Sequence, residues 1–378
     1  MILGYRATVP NWRDRLDWIL RSGIAATDPA KLVAERLRSG PRLPEHDELL
    51  ILAIGKAAAA MARGAIEALG DHAHGLAVCP APEVIPGFEV LVGEHPVPGT
   101  GSFAAGHRLL ESARRAKPES LVLVLLSGGA SALAEVAGPG VGVEQIQHVT
   151  SSLLVSGHPI VEINRRRSEL SALKAGGLAE AARPAQVVTF AISDVAPSGP
   201  EIIGSGPSVG SDLFEVLADG VTAAAAAATA SARFGLEPKR LAHPIYGPAT
   251  EFGGHIGRLA ADLPQGEALV GFGETVVRVD GAGRGGRNQE VALAAAIEIV
   301  GSSVLVGSIG TDGVDGPTDN AGAIVDGTTI ERGKAGGLDA LAHLQDHDCA
   351  SYLEAVGDVI VTGSTGTNVG DLAVAISP

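Results

Sequence analysis

The sequence predicts a two-domain α/β protein: a mostly parallel sheet with helices on both faces, followed by a second α/β domain. Three observations carry that expectation. Short Val/Ile/Leu-rich runs recur without strict polar alternation, the pattern of strands buried on both faces. Alanine-rich stretches of helical length separate them, and such alternation implies right-handed crossovers between parallel strands. A length of 378 residues favours two domains, at ~100–200 residues per domain.

In chain order the strand candidates cover residues 49–55 (LLILAIG), 75–79 (GLAVC), 89–96 (EVLVGEHP), 121–129 (LVLVLLSGG) and 186–194 (QVVTFAISD), then 268–275, 302–313 and 358–368. Helix candidates cover 57–69, 104–116, 168–182 and 291–300, and the alanine run at 223–228 reads as a packed helix because alanine is the best helix former. A Pro- and Gly-rich interruption at 234–263 sets the domain boundary near residue 240, giving a first α/β domain over 1–240 and a second domain over 241–378.

Apolar residues at 46% and charged ones at 19% exclude disorder for most of the chain. Basic residues number 28 against 43 acidic, a net charge of −15, so no positive field exists to gather a nucleic acid backbone. A small anion held by a few placed basic groups stays compatible with that charge. Two cysteines, Cys79 and Cys349, are too few for a disulfide framework. No apolar run reaches the ~18–20 residues of a membrane span, and the segment MILGYRATVPNWRDRLDW is charged where a signal peptide needs an apolar core. The expectation is a soluble, cytoplasmic protein without nucleic acid or membrane partners.

Nearly every predicted strand ends in small and polar residues: Gly55-Lys56, Gly93-Glu94-His95-Pro96, Ser127-Gly128-Gly129, Ser193-Asp194, Gly273-Glu274-Thr275, Gly310-Thr311-Asp312-Gly313 and the stretch from Thr362 through Thr365 and Thr367 to Asn368. Open parallel sheets bind ligands at the carboxyl ends of their strands, where glycines let backbone amides approach phosphate oxygens and hydroxyls add donors. Familiar alternatives fail on spacing. Gly55-Lys56 has Leu50 where a Walker A loop needs glycine and Ala57 where it needs Ser or Thr. No G-x-G-x-x-G opens a helix after the first strand. The stretch from Asp312 to Asp319 has Val314 where a calcium loop needs an oxygen ligand. Ser127 and Ser131 lack the G-x-S-x-G arrangement of a nucleophilic serine.

In an acidic chain, bases beside glycine-rich strand ends are informative. Lys56 follows an apolar run directly, and Arg284 and Arg287 straddle Gly285-Gly286 before a helix, a placement suited to gripping an anion. Arg165, Arg166 and Arg167 point about 100° apart on a helix, so at most one or two face one site. Lys174 precedes Ala175-Gly176-Gly177, a turn or a close helix contact. Among acids, Asp194 ends an apolar strand, where a carboxylate requires a cation or metal partner; Asp312 and Asp315 lie near another strand end, where Asp-Gly also suits a tight turn. His95 is a candidate acid–base group or a hydrogen-bonded structural histidine.

Taken together, these segments resemble the glycerate 2-kinases, enzymes with an N-terminal Rossmann-like domain and a C-terminal MOFRL domain. The likeness runs through GKAAAAMA at Gly55, GEHPVPG at Gly93, SGGASAL at Ser127, INRRRSELSALKAGGLA at Ile163 (with Asn164, Arg167 and Lys174), SDV at Ser193 and IIGSGPS with Ser205. It continues in GETVVRVDGAGRGGRNQE (with Glu274, Arg284, Arg287 and Asn288), GTDGVDGPTDNAGA (with Asp312 and Asp315) and TGSTGTNVGDL (with Thr365, Thr367 and Asn368). The resemblance implies ATP-dependent phosphorylation of the 2-hydroxyl of D-glycerate, with Mg²⁺ or another divalent cation, in a cleft between the domains. The family's reactive lysine falls on Lys56, its GGRNQE arginine on Arg287 and its SDV aspartate on Asp194, also the candidate metal ligand. A homodimer is compatible with it.

The chain departs from the family in places. Ala196-Pro197-Ser198-Gly199-Pro200 stands where the family has Gly-Asp-Asp, Ala175 follows Lys174 where it prefers glycine, Gly177 replaces a basic residue and Ser364 a proline. The lost acids leave a related small hydroxy acid open as acceptor. They also leave a non-catalytic metabolite-binding role open, while the missing dinucleotide fingerprint argues against a hydroxypyruvate or tartronate reductase.

Overall fold

The apolar run after Asp47 becomes the central strand of a parallel sheet in the computed structural model, which describes residues 11–155, 160–195, 199–279 and 281–378. The strands are β1 (Glu48–Ile54), β2 (Gly75–Cys79), β3 (Phe88–Val92), β4 (Ser120–Ser127), β5 (Gln186–Ile192) and β6 (Leu213–Ala218), aligned in the order β3-β2-β1-β4-β5-β6. Every pairing among them is parallel. This is the doubly wound Rossmann order, in which the chain builds outward from β1 to one side and then from β4 to the other. All eight residues of β4 are buried, which explains its unbroken apolar sequence. The core joins Leu52, Val122 and Val187 of the strands to Leu109 and Leu178 of the covering helices.

A second sheet holds β7 (Glu237–Arg240), β8 (Glu267–Gly273), β9 (Leu305–Gly310), β10 (Gly322–Asp326), β11 (Val359–Ile360) and β12 (Asp371–Ser377), in the order β11-β10-β9-β12-β8-β7. Here the expectation of a largely parallel sheet is corrected, since only β7 and β8 pair in parallel. The cause is β12, absent from the sequence-level reading, which inserts between β8 and β9 and runs against both. Its residues alternate between two cores. Leu372, Val374 and Ile376 pack with Leu16 and Leu20 of the helix Trp12–Ala25 and with Ala224 and Ala227 of the helix Gly220–Arg233. Ala373 and Ala375 pack on the opposite face with Ile256, Val291 and Ala295.

The chain accordingly divides into two units. One comprises Thr27–Asp219 and Gly366–Val369, the other Met1–Ala26, Gly220–Thr365 and Gly370–Pro378. The sequence places a break near residue 240; the division falls twenty residues earlier and returns the first helix to the second sheet. The reason is packing: the small alanine face of Gly220–Arg233 fits against β8 and against Trp12–Ala25, and Trp18 meets Phe234 edge-on at 5.4 Å. The predicted helix 168–182 is also split. Ala175 adopts φ 49° and a new helix, Gly177–Ala182, begins after it.

Candidate active site

The first sheet has its topological switch point between β1 and β4, and the two glycine turns read from the sequence lie at its carboxyl edge. Gly55 takes φ 127°, and a Cβ there would lie 2.2 Å from Ser127 Oγ, so only glycine turns β1 into the helix Ala58–Leu69 at this point. The Lys56 N–H donates to Gly128 O at 2.9 Å and the Ala57 N–H to Ser127 Oγ at 3.0 Å. Ser127 is therefore a brace between the strand ends. Gly128 faces Asp194, whose Oδ2 would be 1.9 Å from an added Cβ, and Asn368 Nδ2 lies 3.5 Å from the same oxygen. Gly129 is flanked by Lys56 and His95: a Cβ on it would lie 3.1 Å from Lys56 Cγ and 3.4 Å from His95 Cδ2.

Lys56, His95, Gly129 and Asp194 thus converge on one strand edge. The Lys56 side chain is exposed. Although His95 is exposed, partial desolvation of its ring by the protein around it, with Lys56 and Arg167 as positive neighbours, lowers its pKa to about 4, so the imidazole is neutral at pH 7. The neighbouring Glu94 is structural: its carboxylate accepts the Gly101 and Ser102 N–H groups at the start of the helix Thr100–Arg114.

Asn164, Ser205 and Ser131 form a chain of hydrogen bonds, Ser205 Oγ to Asn164 Oδ1 at 2.9 Å and to Ser131 Oγ at 2.7 Å. Arg167 Nη2 donates to Ser131 O at 2.8 Å, which singles out one member of the Arg165-Arg166-Arg167 run as buried. A cavity of about 460 Å³ opens beside Asn164 and Ser205, walled by Ala175, Ile202 and Val209. Lys174 points elsewhere. It is buried in an ion pair with Glu135, whose other oxygen accepts from Ser171 Oγ at 2.5 Å. Burial outweighs its partner and pulls the Lys174 pKa down to about 8. Glu135 was not legible as its partner, because thirty-nine residues separate the two.

The second sheet has its own polar corner. β8 and β9 end, and β12 begins, at one edge, where Asp371 is registered opposite both Gly273 and Gly310. The helix Arg287–Glu298 starts there. Arg287 Nε donates to both oxygens of Asp371 at 3.0 and 2.7 Å, and Nη1 meets Glu274 at 2.7 Å. Burial works against the guanidinium charge, but Asp371, Glu274 and Asp315 outweigh it and raise its pKa. Asp315 caps the helix from outside it, accepting the N–H groups of Asn288 at 2.9 Å and Gln289 at 2.8 Å. Burial raises Asp315 to about 6 despite those bonds. Asn288 is turned inward, between Asp371 and Ser308. Arg284 is drawn off by a two-pronged pair with Glu354, at 3.0 and 2.5 Å.

The loop before β12 divides its residues. Asp312 O accepts the Thr365 N–H at 3.2 Å, while Thr367 Oγ1 donates to Thr27 O at 2.8 Å and Asn368 reaches Asp194. Of the stretch 196–200, where the sequence lacks the family's acids, residues 196–198 lie outside the described residues. Among the described residues no group of three His, Cys, Asp or Glu side chains has the geometry of a metal site. Asp371, the buried partner of Arg287 Nε, is a residue of this corner that sequence reasoning missed. Its signal was an acid opening the apolar run LAVAI.

Such features define a two-unit α/β protein with a Rossmann-type switch point and, in each unit, a cation held at a glycine-lined strand edge. Residues 15–232 match the family model described as a domain of unknown function, DUF4147, and residues 267–371 match the MOFRL family. The D-glycerate 2-kinase of Thermotoga maritima is 36% identical over 95% of this chain and 96% of its own length. The glycerate 2-kinase of Pyrococcus horikoshii is 30% identical over 95% and 96%. The solved structure of Thermotoga maritima glycerate kinase matches with a TM-score of 0.89 at 34% identity, covering 97% of this chain and 99% of that one. The chain belongs to the glycerate kinase family.

Proposed function

We propose that this protein is an ATP-dependent phosphotransferase that phosphorylates the 2-hydroxyl of D-glycerate or a closely related small hydroxy acid. The observation that supports it most is Lys56, exposed at the glycine-lined β1/β4 switch point of a chain in the glycerate kinase family. Phosphoryl transfer asks little covalent chemistry of a protein; it asks for alignment and for positive charge on the equatorial oxygens. Each unit offers a cation of that kind, Lys56 in the first and Arg287 in the second. Asp194 accepts the proton of the attacking hydroxyl or orients the metal, and the neutral His95 offers an uncharged hydrogen-bonding partner beside Lys56.

A divalent cation fits at Asp194, because a nucleotide-bound Mg²⁺ needs only one or two carboxylates beside phosphate and water oxygens, and the missing side chain of Gly128 is what leaves this carboxylate its place at the strand edge. When bound it neutralises phosphate charge. The protein is assigned to the cytoplasm, in keeping with its free, buried Cys79 and Cys349. The test is a coupled ADP-release assay across three- and four-carbon hydroxy acids with Mg²⁺ and with Mn²⁺, run beside NADH and NADPH consumption with hydroxypyruvate. Acceptor-dependent ADP release with D-glycerate is expected. Its absence across the panel, or nicotinamide oxidation in its place, overturns the assignment.

A further inference from the structure

Arg287 carries two carboxylates of opposite character. Asp371 has a side chain only 3% exposed and takes Nε on both oxygens, and it is itself held by Asn288 Nδ2 at 2.9 Å and the Thr275 N–H at 3.4 Å. Glu274, directly after β8, has a side chain 45% exposed and meets Nη1 at 2.7 Å, while the arginine side chain is 31% exposed. A buried, multiply bonded carboxylate is costly to dislodge, whereas water and other anions compete freely for an exposed pair. A guanidinium gripped through Nε still presents its Nη1/Nη2 edge, the edge that binds oxyanions end-on.

We propose that the two acids have separate tasks. Asp371 is a positioning residue that aims Arg287, and Glu274 is a placeholder on the Nη edge that an incoming oxyanion displaces. This rests on the kinase assignment only for the identity of that oxyanion, either the polyphosphate of a nucleotide or the carboxylate of the hydroxy acid. The placeholder keeps the arginine extended between ligands, so the site need not reorganise when the anion arrives.

The test uses the full-length protein, titrated calorimetrically with inorganic tripolyphosphate and, separately, with D-glycerate. Glu274→Gln should tighten binding of one of them by about threefold, as expected on removing an exposed competitor. That gain should vanish in an Arg287→Ala background. Tighter tripolyphosphate identifies phosphoryl oxygens as the occupant, and tighter glycerate identifies the carboxylate. Weaker or unchanged binding of both overturns the placeholder.

For Asp371, kcat of ADP release is compared in a double-mutant cycle. Asp371→Asn should lower it at least ~10-fold, and Asp371→Asn with Arg287→Lys should be no slower than Arg287→Lys alone. Additive losses overturn the positioning role. Should Asp371→Asn fail to fold, arginine ¹⁵N spectra of the wild-type protein decide the point. The Arg287 Nε–H should stay protected from exchange while ligand shifts the Nη signals, and loss of that protection overturns the proposal. Absence of ADP release in the wild type would end the kinase assignment and leave the tripolyphosphate series standing as the test of this one.

Discussion

The two cation-bearing edges are built on opposite principles. At the β1/β4 edge the backbone does most of the work: Gly55, Gly128 and Gly129 leave room, Ser127 braces the turn, and Lys56 projects into solvent. At the second sheet's edge side chains do the work, and Asp371, Asp315, Glu274 and Asn288 saturate one another and Arg287. The difference follows from the cation. An ammonium on a flexible stem can wait in water until a ligand arrives, whereas a half-buried guanidinium needs its charge matched to exist there at all. The first edge is therefore tolerant in its side chains and intolerant in its glycines, whereas the second is intolerant in both, since a Cβ on Gly286 would also lie 2.4 Å from Asp315 Cγ.

The largest expected effect tests whether buried charge anywhere in the first unit is as tightly matched as at the second unit's corner. Lys174→Met strands Glu135, which is fully buried, and should cost about 3–5 kcal/mol, read as a lower urea midpoint or as loss of folded protein. An unchanged midpoint would show that the pair is dispensable. Next, Lys56→Ala and Arg287→Ala should each lower kcat at least ~10²-fold through lost stabilisation of transferring charge. Lys56→Ala should leave the melting temperature unchanged and Arg287→Ala should lower it, because only the latter strands buried Asp371. Equal melting behaviour would erase the contrast between the edges.

A smaller effect is expected from Asp315→Ala, which removes the acceptor for the Asn288 and Gln289 N–H groups and should cost about 1–2 kcal/mol in thermal unfolding. The smallest concerns pH. His95 has a folded pKa of about 4, below the ordinary 6.5, so the unfolded chain takes up the proton first. Its contribution lowers stability as pH falls from about 6.5 toward about 4 and is silent above that window. Denaturation midpoints of wild type and His95→Gln should therefore differ in pH slope only below about 6.5. An NMR titration placing His95 near 6.5 would remove it from the neighbourhood of Lys56 and Arg167.

Much of the first sheet was legible because β1, β2, β4 and β5 are contiguous apolar runs that end in small or polar residues, whereas β6, whose LFEVLA carries Glu215 and is only partly buried, was missed. Lys56, Ser127, Gly128, Gly129 and Asp194 were readable for the same reason, as residues at the ends of such runs. What was hidden was pairing. Nothing local separates Arg167, which turns inward to Ser131 O, from Arg165, which pairs with Glu169 on the surface. Nor does any local feature show Arg284 drawn to Glu354, seventy residues on. β12 escaped notice because its short apolar run follows directly on a glycine-rich turn, and only the flanking β8 and β9 make it a strand.

By itself the sequence determined the alternation of elements, the glycines that open the strand edges and the short supply of bases, since these are properties of neighbouring residues and of composition. The tertiary structure alone decided which sheet would be antiparallel, which unit would keep the first helix and which acid each cation would face. Those outcomes depend on groups tens to hundreds of residues apart meeting in space, where burial selects the partner and local propensity has no vote.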